Sequence, residues 1–162
     1  MKKVVLSFFF LLFVSISIFF AEAGQEINGC PVPDSLKIIA PDSGVVPPKL
    51  ALLSGIWEGY WAQPVIFIVE RIEATEAFVV LAWAGARGKA QTGLSLPPGY
   101  VRLKCPIEQG GDETYRIICN DKTGTSRWSQ TNNPKQLRVE RDGFIEMPDQ
   151  YRNSIFTKKE IQ

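Results

Sequence analysis

The feature that most constrains the fold is a change in residue pattern at Gly55. From this residue almost to the C-terminus, apolar residues recur with a period of two, and β-branched and aromatic residues dominate. No stretch after Gly55 shows a convincing helical period. The sequence therefore predicts an all-β body.

The predicted strands are short and are joined mainly by tight turns. They are Gly55–Trp61, Val65–Glu73, Ala77–Gly85, Gly99–Cys105, Thr114–Asn120, Ser126–Gln130, Gln136–Arg141, Gly143–Met147 and Ser154–Lys158. Asp142-Gly143 is a strong hairpin signal, and Ala86 to Pro98 forms a long connection. Because open sheet edges invite aggregation, we expect an antiparallel up-and-down barrel of about eight strands. A two-sheet sandwich of the same strands is the alternative.

Residues 1–23 have the pattern of a signal peptide. Lys2-Lys3 precede an apolar run, and Ala21-Glu22-Ala23 supplies a small-x-small cleavage pattern. We expect cleavage after Ala23 and a secreted or periplasmic protein. An uncleaved anchor is the alternative, and a lipid anchor on Cys30 is a further one.

A proline-rich arm, residues 24–48, is predicted to precede the barrel domain, residues 49–162. Proline lacks an amide hydrogen, so this arm is not expected to pair as a regular strand. Pro47-Pro48 followed by an apolar run predicts a short helical turn that ends at Gly55. The arm also contains apolar residues, among them Leu36 and Ile38, that can pack against the barrel.

Two predicted strands are apolar on both faces. Val65-Val69 and Phe78-Ala84 lack the alternation of a strand with one wet face. Their outer faces are therefore expected to be covered, either by the arm or by a second subunit in a homodimer.

Composition excludes several classes of function. The full chain has 18 basic and 17 acidic residues, and without Lys2, Lys3 and Glu22 the two numbers are equal. We therefore expect no nucleic-acid partner and no membrane contact after signal cleavage. The chain has no histidine, which excludes Ser-His-Asp and Cys-His catalysis and imidazole metal sites. No metal site and no cofactor is predicted.

The three cysteines allow three disulfide pairings. We favour Cys105 with Cys119, because they lie on neighbouring predicted strands and on the apolar phase of each. Three buried free thiols are the alternative.

The opening of the predicted barrel carries a family resemblance. Gly55-Ile56-Trp57, after a short helical turn, resembles the opening motif of the lipocalins and the wider calycin group, and Pro47 to Gly85 looks like the start of small secreted bacterial domains of that type. The resemblance implies a closed barrel in which Trp57 closes one end and a basic residue of the last strand packs over its ring. That residue is expected to be Lys158 or Lys159, with Gly55 and Trp57 in structural roles.

Aromatic residues are the candidate ligand contacts. If Trp57 points inward, Trp61 does as well, and Gly59 leaves room between them. The other predicted contacts are Phe67, Trp83, Tyr115 and Trp128. The rings can line a pocket for a small hydrophobic ligand, gated by Ala86 to Pro98, or they can simply fill a small barrel.

Three functions follow in order of preference. The first is a non-enzymatic binding protein that holds a small hydrophobic or amphipathic ligand in the barrel. The second is a protein-protein interaction module with a solid barrel and an apolar outer face. The third is a carboxylate-dependent hydrolase or isomerase, with candidate acids Glu58, Glu70, Glu73 and Glu140 on predicted strands.

Overall fold

The structure of the protein is a computed structural model. It describes residues 24–61, 63–85, 97–111, 114–121, 124–142 and 153–160. The elements in chain order are β1 (Glu26–Ile27), β2 (Cys30–Pro31), α1 (Pro48–Ala51), β3 (Gly55–Tyr60), β4 (Pro64–Ile72), β5 (Glu76–Trp83), β6 (Gly99–Gln109), β7 (Tyr115–Asp121), β8 (Gly124–Gln130), β9 (Gln136–Asp142) and β10 (Asn153–Lys159).

Strands β3 to β10 form a closed antiparallel barrel of eight strands. Each strand pairs with the next in sequence, and β10 returns to pair with β3 through Lys158 opposite Trp57. The predicted all-β, up-and-down barrel is confirmed, and the sandwich alternative is wrong. Closure gives each of the eight barrel strands two neighbours, so the barrel sheet has no open edge.

Strand β6 is longer than predicted. Its first part pairs with β5 from Gly99 to Pro106, and its last part pairs with β7 from Ile107 to Gln109. The tilt of barrel strands requires such a stagger between neighbours, and a pattern read along one strand does not report it.

The proline-rich arm forms a small hairpin of its own. Glu26 and Ile27 in β1 pair with Pro31 and Cys30 in β2, and the turn residues Asn28 and Gly29 have φ of 52° and 75°. Positive φ at both central residues is typical of a two-residue Asn-Gly hairpin. The expectation that the arm would contain no regular strand pairing is therefore wrong over these residues.

The arm covers the outer face of β4 and β5. Arm and barrel residues form one buried cluster there, which consists of Cys30, Val32, Ile56, Ile66, Ile68, Val80 and Ala82. The outer faces of β4 and β5, which were expected to be covered because both faces are apolar, are covered by the arm of the same chain.

A bulge in β4 fixes the arm in place. Pairing of β4 with β5 shifts between Val69 and Arg71, and the carbonyl oxygen of Glu70 accepts a hydrogen bond from the Ile39 amide at 2.7 Å. Arg102 donates to both the Ser35 hydroxyl and the Glu70 carboxylate. At the bulge, the Glu70 carbonyl oxygen is free to bond the arm, whereas in an uninterrupted strand it would bond a neighbouring strand.

The cysteines pair as predicted. Cys105 and Cys119 form a disulfide across β6 and β7, with Cα atoms 4.8 Å apart. Cys30 is a buried free thiol between arm and barrel, and burial raises its pKa to about 11.

Several sequence expectations fall outside the described residues. These are the signal peptide, the predicted strand Gly143–Met147 and most of the connection Ala86 to Pro98. Within the described part of the chain, no helix has the length and apolarity needed to cross a membrane.

Candidate functional site

Four aromatic rings form a layer inside the barrel. Phe67 and Trp128 stack with their ring centroids 3.6 Å apart and their planes 3° from parallel. Trp61 lies 5.7 Å from Trp128, and Phe156 contacts both tryptophans edge-on. We call Trp61, Phe67, Trp128 and Phe156 the ring layer.

Gly59 allows this layer to pack against the barrel wall. A Cβ atom built on Gly59 would lie 2.4 Å from the Phe156 ring. The room that Gly59 leaves is therefore occupied by a ring of the protein. Phe156 was not among the predicted ligand contacts. It lies two residues before Lys158 on β10, so the two side chains are on the same, inward face of the strand.

The ring layer fills the middle of the barrel. Phe67, Trp128 and Phe156 are fully buried, and Trp61 is 8% exposed. Trp61 is therefore the member of the layer that retains some exposed surface, and a deep pocket would require the layer to move.

The two ends of the barrel differ in their chemistry. We call the end with α1, Trp57 and Lys158 the helix end. We call the opposite end, where Trp61, Trp83 and Arg141 lie, the distal end.

At the helix end Trp57 is enclosed on all sides. Its indole N–H donates to the Leu53 carbonyl oxygen at 2.9 Å, and the Lys158 ammonium lies 5.0 Å from the ring centroid. Lys158 also donates to the Leu52 carbonyl oxygen at 3.1 Å, and burial lowers its pKa. Gly55, with φ of 117°, brings the backbone against the Lys158 side chain.

Lys159, the other predicted partner of Trp57, has a different environment. It forms an ion pair with Glu58 on the outside of the barrel. The alternation of inward and outward residues along β10 explains why only one of the two lysines reaches Trp57.

At the distal end a second cation lies on a second tryptophan. The Arg141 guanidinium carbon is 3.8 Å from the Trp61 ring centroid, and Arg141 is 8% exposed. The Trp61 indole N–H is buried and has no hydrogen-bond acceptor in the described structure. Sequence reasoning missed Arg141, although Leu137, Val139 and Arg141 share the inward phase of β9.

Ser126 lies beside Arg141 on the neighbouring strand. The two residues are register partners between β8 and β9. The Ser126 hydroxyl accepts a hydrogen bond from the Trp128 indole at 2.9 Å. This contact orients Trp128 within the ring layer.

The other two predicted contacts, Trp83 and Tyr115, are not members of the ring layer but pack against the same core cluster. Trp83 is half-buried at the distal end, where its indole donates to the Pro97 carbonyl oxygen at 2.8 Å. Tyr115 begins β7 at the helix end. The structure thus brings Trp61, Phe67 and Trp128 into one layer and places Trp83 and Tyr115 at its periphery, towards opposite ends of the barrel.

The candidate carboxylates are on the outside of the barrel. Glu58 pairs with Lys159, Glu70 with Arg102, and Glu73 with Arg71. Glu140 is on the outward phase of β9, between the buried residues Val139 and Arg141. Within the described residues, no group of three or more Cys, Asp or Glu side chains is arranged to hold a metal ion.

A surface groove beside the turn between β8 and β9 is polar. Its lining includes Thr131, Asn133 and Arg138. Thr131 and Asn133 exchange hydrogen bonds within the turn, so these residues have a structural role in shaping the loop.

Comparison of the chain with protein-family models, with curated proteins and with solved structures found no match.

Proposed function

We propose that the protein is a secreted or periplasmic, non-enzymatic binding protein whose lipocalin-like barrel takes a small amphipathic ligand at the distal end. The observation that carries the proposal is the buried indole N–H of Trp61, which has no acceptor in the described structure. Buried donors are nearly always paired, and an unpaired one costs about 1–3 kcal/mol. A ligand that supplies an acceptor removes this cost.

The ring layer supports the apolar part of the proposal. Trp61 contacts Trp128 and Phe156 below it, so a ligand bound at the distal end meets an aromatic floor. The half-buried Trp83 lies at the same end. Aromatic walls with a few polar groups are typical of small-molecule sites.

Tryptophan fluorescence tests the proposal. The purified protein is titrated with 1-dodecanol below its aqueous solubility limit and with sodium dodecanoate below its critical micelle concentration. We expect a saturable change with at least one of them, which Trp61→Ala abolishes. Trp57→Phe, at the helix end, is the control and should keep it.

Folding must be checked because Trp61 is buried. Far-UV circular dichroism and thermal unfolding establish whether Trp61→Ala retains the barrel. Should it unfold, Trp61→Phe, which keeps a ring in place, is used instead and is expected to weaken binding. Unchanged binding by a folded Trp61 variant would refute the distal site.

A second candidate function is a protein-protein interaction module. The close stacking of Phe67 on Trp128 favours a solid barrel. Tyr60, Tyr100 and Ile155 are exposed large side chains on the outside. A homodimer through Val65–Val69 and Phe78–Ala84 would have to displace the arm, which already buries Ile66, Ile68 and Val80.

Sedimentation separates the two candidates. A monomer that gives a saturable fluorescence response supports the binding protein. A stable dimer that responds to neither amphiphile supports the interaction module.

A further inference from the structure

The polar groove beside the turn between β8 and β9 has the size of a small-molecule site. Its volume is about 370 Å³, and such sites usually measure about 300–1,000 Å³. Its lining includes Ser129 and Arg138, which are on the outward phase of their strands, and no member of the ring layer. All the lining side chains are polar, and Arg138 is the charged one. A ligand that fits this lining must therefore be polar itself.

Hydrogen bonds within the turn hold the rim of the groove in shape. The Thr131 hydroxyl donates to the Asn133 carbonyl oxygen at 3.1 Å and accepts from the Asn133 amide at 3.0 Å. The side-chain oxygen of Asn133 accepts from the Lys135 amide at 2.9 Å. A rim that is already fixed loses little conformational freedom when a ligand binds.

The other lining side chains are available to a ligand. Within the part of the chain that the structure describes, no side-chain hydrogen bond or ion pair is formed by Ser129, Gln130, Asn132, Gln136 or Arg138. Side-chain amides and hydroxyls both donate and accept hydrogen bonds. The hydroxyl groups of a sugar do so as well, and they can therefore pair with these side chains in either direction.

Arg138 adds a positive charge to this neutral lining. It is exposed on β9, with Ser129 of β8 opposite it on one side and Ile155 of β10 on the other. Glu140, the next outward residue of β9, lies opposite Arg127 on β8. The planar guanidinium fork matches the two oxygens of a carboxylate. An acidic sugar therefore suits the groove better than a neutral one.

Exposed apolar side chains extend the surface beyond Arg138. Ile155 and Tyr60 are 49% and 58% exposed. Strands β10 and β3 pair with Thr157 opposite Glu58, and this register brings Ile155 and Tyr60 together on the outward face. Because neighbouring strands are about 4.8 Å apart, Tyr60 lies about 10 Å from Arg138, a distance that a short chain of sugar rings can span. A tyrosine ring can cover the C–H face of one of those rings.

We propose that this outer groove binds a short acidic oligosaccharide of the uronic acid type. Arg138 holds a carboxylate, the side-chain amides hold hydroxyl groups, and Tyr60 covers a sugar ring. The groove is separate from the distal end, and its ligand is independent of the one proposed there.

Isothermal titration calorimetry with three compounds tests the ligand class. Trigalacturonic acid is the acidic oligosaccharide, maltotriose is a neutral one of equal length, and N-acetyl-triglutamate amide is a peptide with the same number of carboxylates. We expect trigalacturonate to bind saturably and about tenfold or more tighter than either of the others. Its amide chemical-shift changes in NMR spectra should be centred on residues 129–138.

Three variants test the residues. Arg138→Gln should weaken trigalacturonate binding about tenfold, since it removes a charge-assisted hydrogen bond, and Tyr60→Ala should weaken it several-fold. Arg116→Gln is the matched control, because Arg116 is exposed on the same outer face, across Ser129 from Arg138, and does not line the groove. It should leave the affinity unchanged. All three side chains are exposed, so the variants should keep the fold, which circular dichroism checks.

Four results would overturn the proposal. The first is no binding of trigalacturonate, or shift changes that lie away from the groove. The second is equal affinity for maltotriose, because Arg138 would then select nothing. The third is equal affinity for the glutamate peptide, because the groove would then recognise charge rather than sugar. The fourth is an equal loss for Arg116→Gln and Arg138→Gln, which would indicate diffuse charge attraction instead of a site.

Discussion

Both ends of the barrel place a cation against a tryptophan ring, but only the helix end pairs its indole. Trp57 donates to Leu53, and the Lys158 that covers it donates to Leu52. Trp61 has no acceptor in the described structure, and the cation on it is an arginine. A paired tryptophan stabilises the fold, whereas an unpaired one costs stability and is more readily explained by function.

The difference has a local cause. At the helix end α1 runs directly into β3, so carbonyl groups that end the helical turn lie within reach of Trp57 and Lys158. These are groups that a helix C-terminus leaves without an internal partner. The distal end has no such helix among the described residues.

The largest difference between the ends should come from removing each tryptophan. Trp57→Ala is expected to lower the free energy of unfolding by about 3–5 kcal/mol, through a cavity and an unpaired Leu53 carbonyl. Trp61→Ala should cost less, because it also removes an unpaired buried donor. Urea denaturation measures both, and an equal or larger loss for Trp61→Ala would contradict the comparison.

A methyl group between the two ends should disturb both. Gly59→Ala places a Cβ atom 2.4 Å from the Phe156 ring, and overpacking of this kind costs about 1–3 kcal/mol. Gly111→Ala is the control, since nothing lies within 4 Å of its Cβ position. A Gly59→Ala protein as stable as the control would show that the ring layer is loosely packed.

Keeping a ring and deleting only the indole N–H isolates the hydrogen bond. Trp57→Phe leaves the Leu53 carbonyl without its partner, and we expect it to cost about 1 kcal/mol more than Trp61→Phe. Thermal and urea unfolding of the two variants provide the test. If Trp61→Phe lowers the free energy of unfolding of the ligand-free protein more than Trp57→Phe does, the Trp61 indole N–H is paired in solution, which would contradict the proposed difference between the two ends.

The smallest effect should appear in the alkaline pH range. Burial lowers the Lys158 pKa, so the unfolded chain binds more protons there, and stability should rise as the pH passes from the folded pKa toward the ordinary value. The rise is therefore expected from the helix end, where Lys158 lies over Trp57.

Ionisation of the buried Cys30 thiol should lower the stability of the fold as the pH rises, opposite to the effect of Lys158. Its pKa is raised from 9.0 to about 11, so stability is lost between these values. The pH series should therefore compare Cys30→Ala with Cys30→Ala/Lys158→Met. Identical profiles would show that Lys158 is not desolvated as described.

Much of the architecture was accessible from the sequence. The two-residue period after Gly55, the turn residues and the position of the cysteines predicted the barrel and the Cys105–Cys119 disulfide, because these depend on local alternation. Asn28-Gly29 is a typical two-residue hairpin turn, but the prolines on its C-terminal side favour irregular structure, so the sequence pattern alone did not predict the small hairpin.

The candidate site was only partly accessible. Phase along β3 placed Trp57 and Trp61 together on the inward face, and the structure agrees. Phase along β9 and β10 carried the same information for Arg141 and Phe156. Arg141 was not predicted because an arginine is usually a surface residue, even where its neighbours in the same phase are apolar. Phe156 was not predicted because its position in the core depends on the space left by Gly59 on the neighbouring strand.

The sequence by itself predicted the strand order, favoured the Cys105–Cys119 pairing and indicated which strands alternate, since these follow from short-range patterns. Only the tertiary structure decided that the ring layer occupies the middle of the barrel, that the arm covers β4 and β5, and that Arg141 lies on Trp61. Each of these depends on distances between residues far apart in the chain. Barrel tilt and closure set those distances, and no pattern within a single strand encodes them.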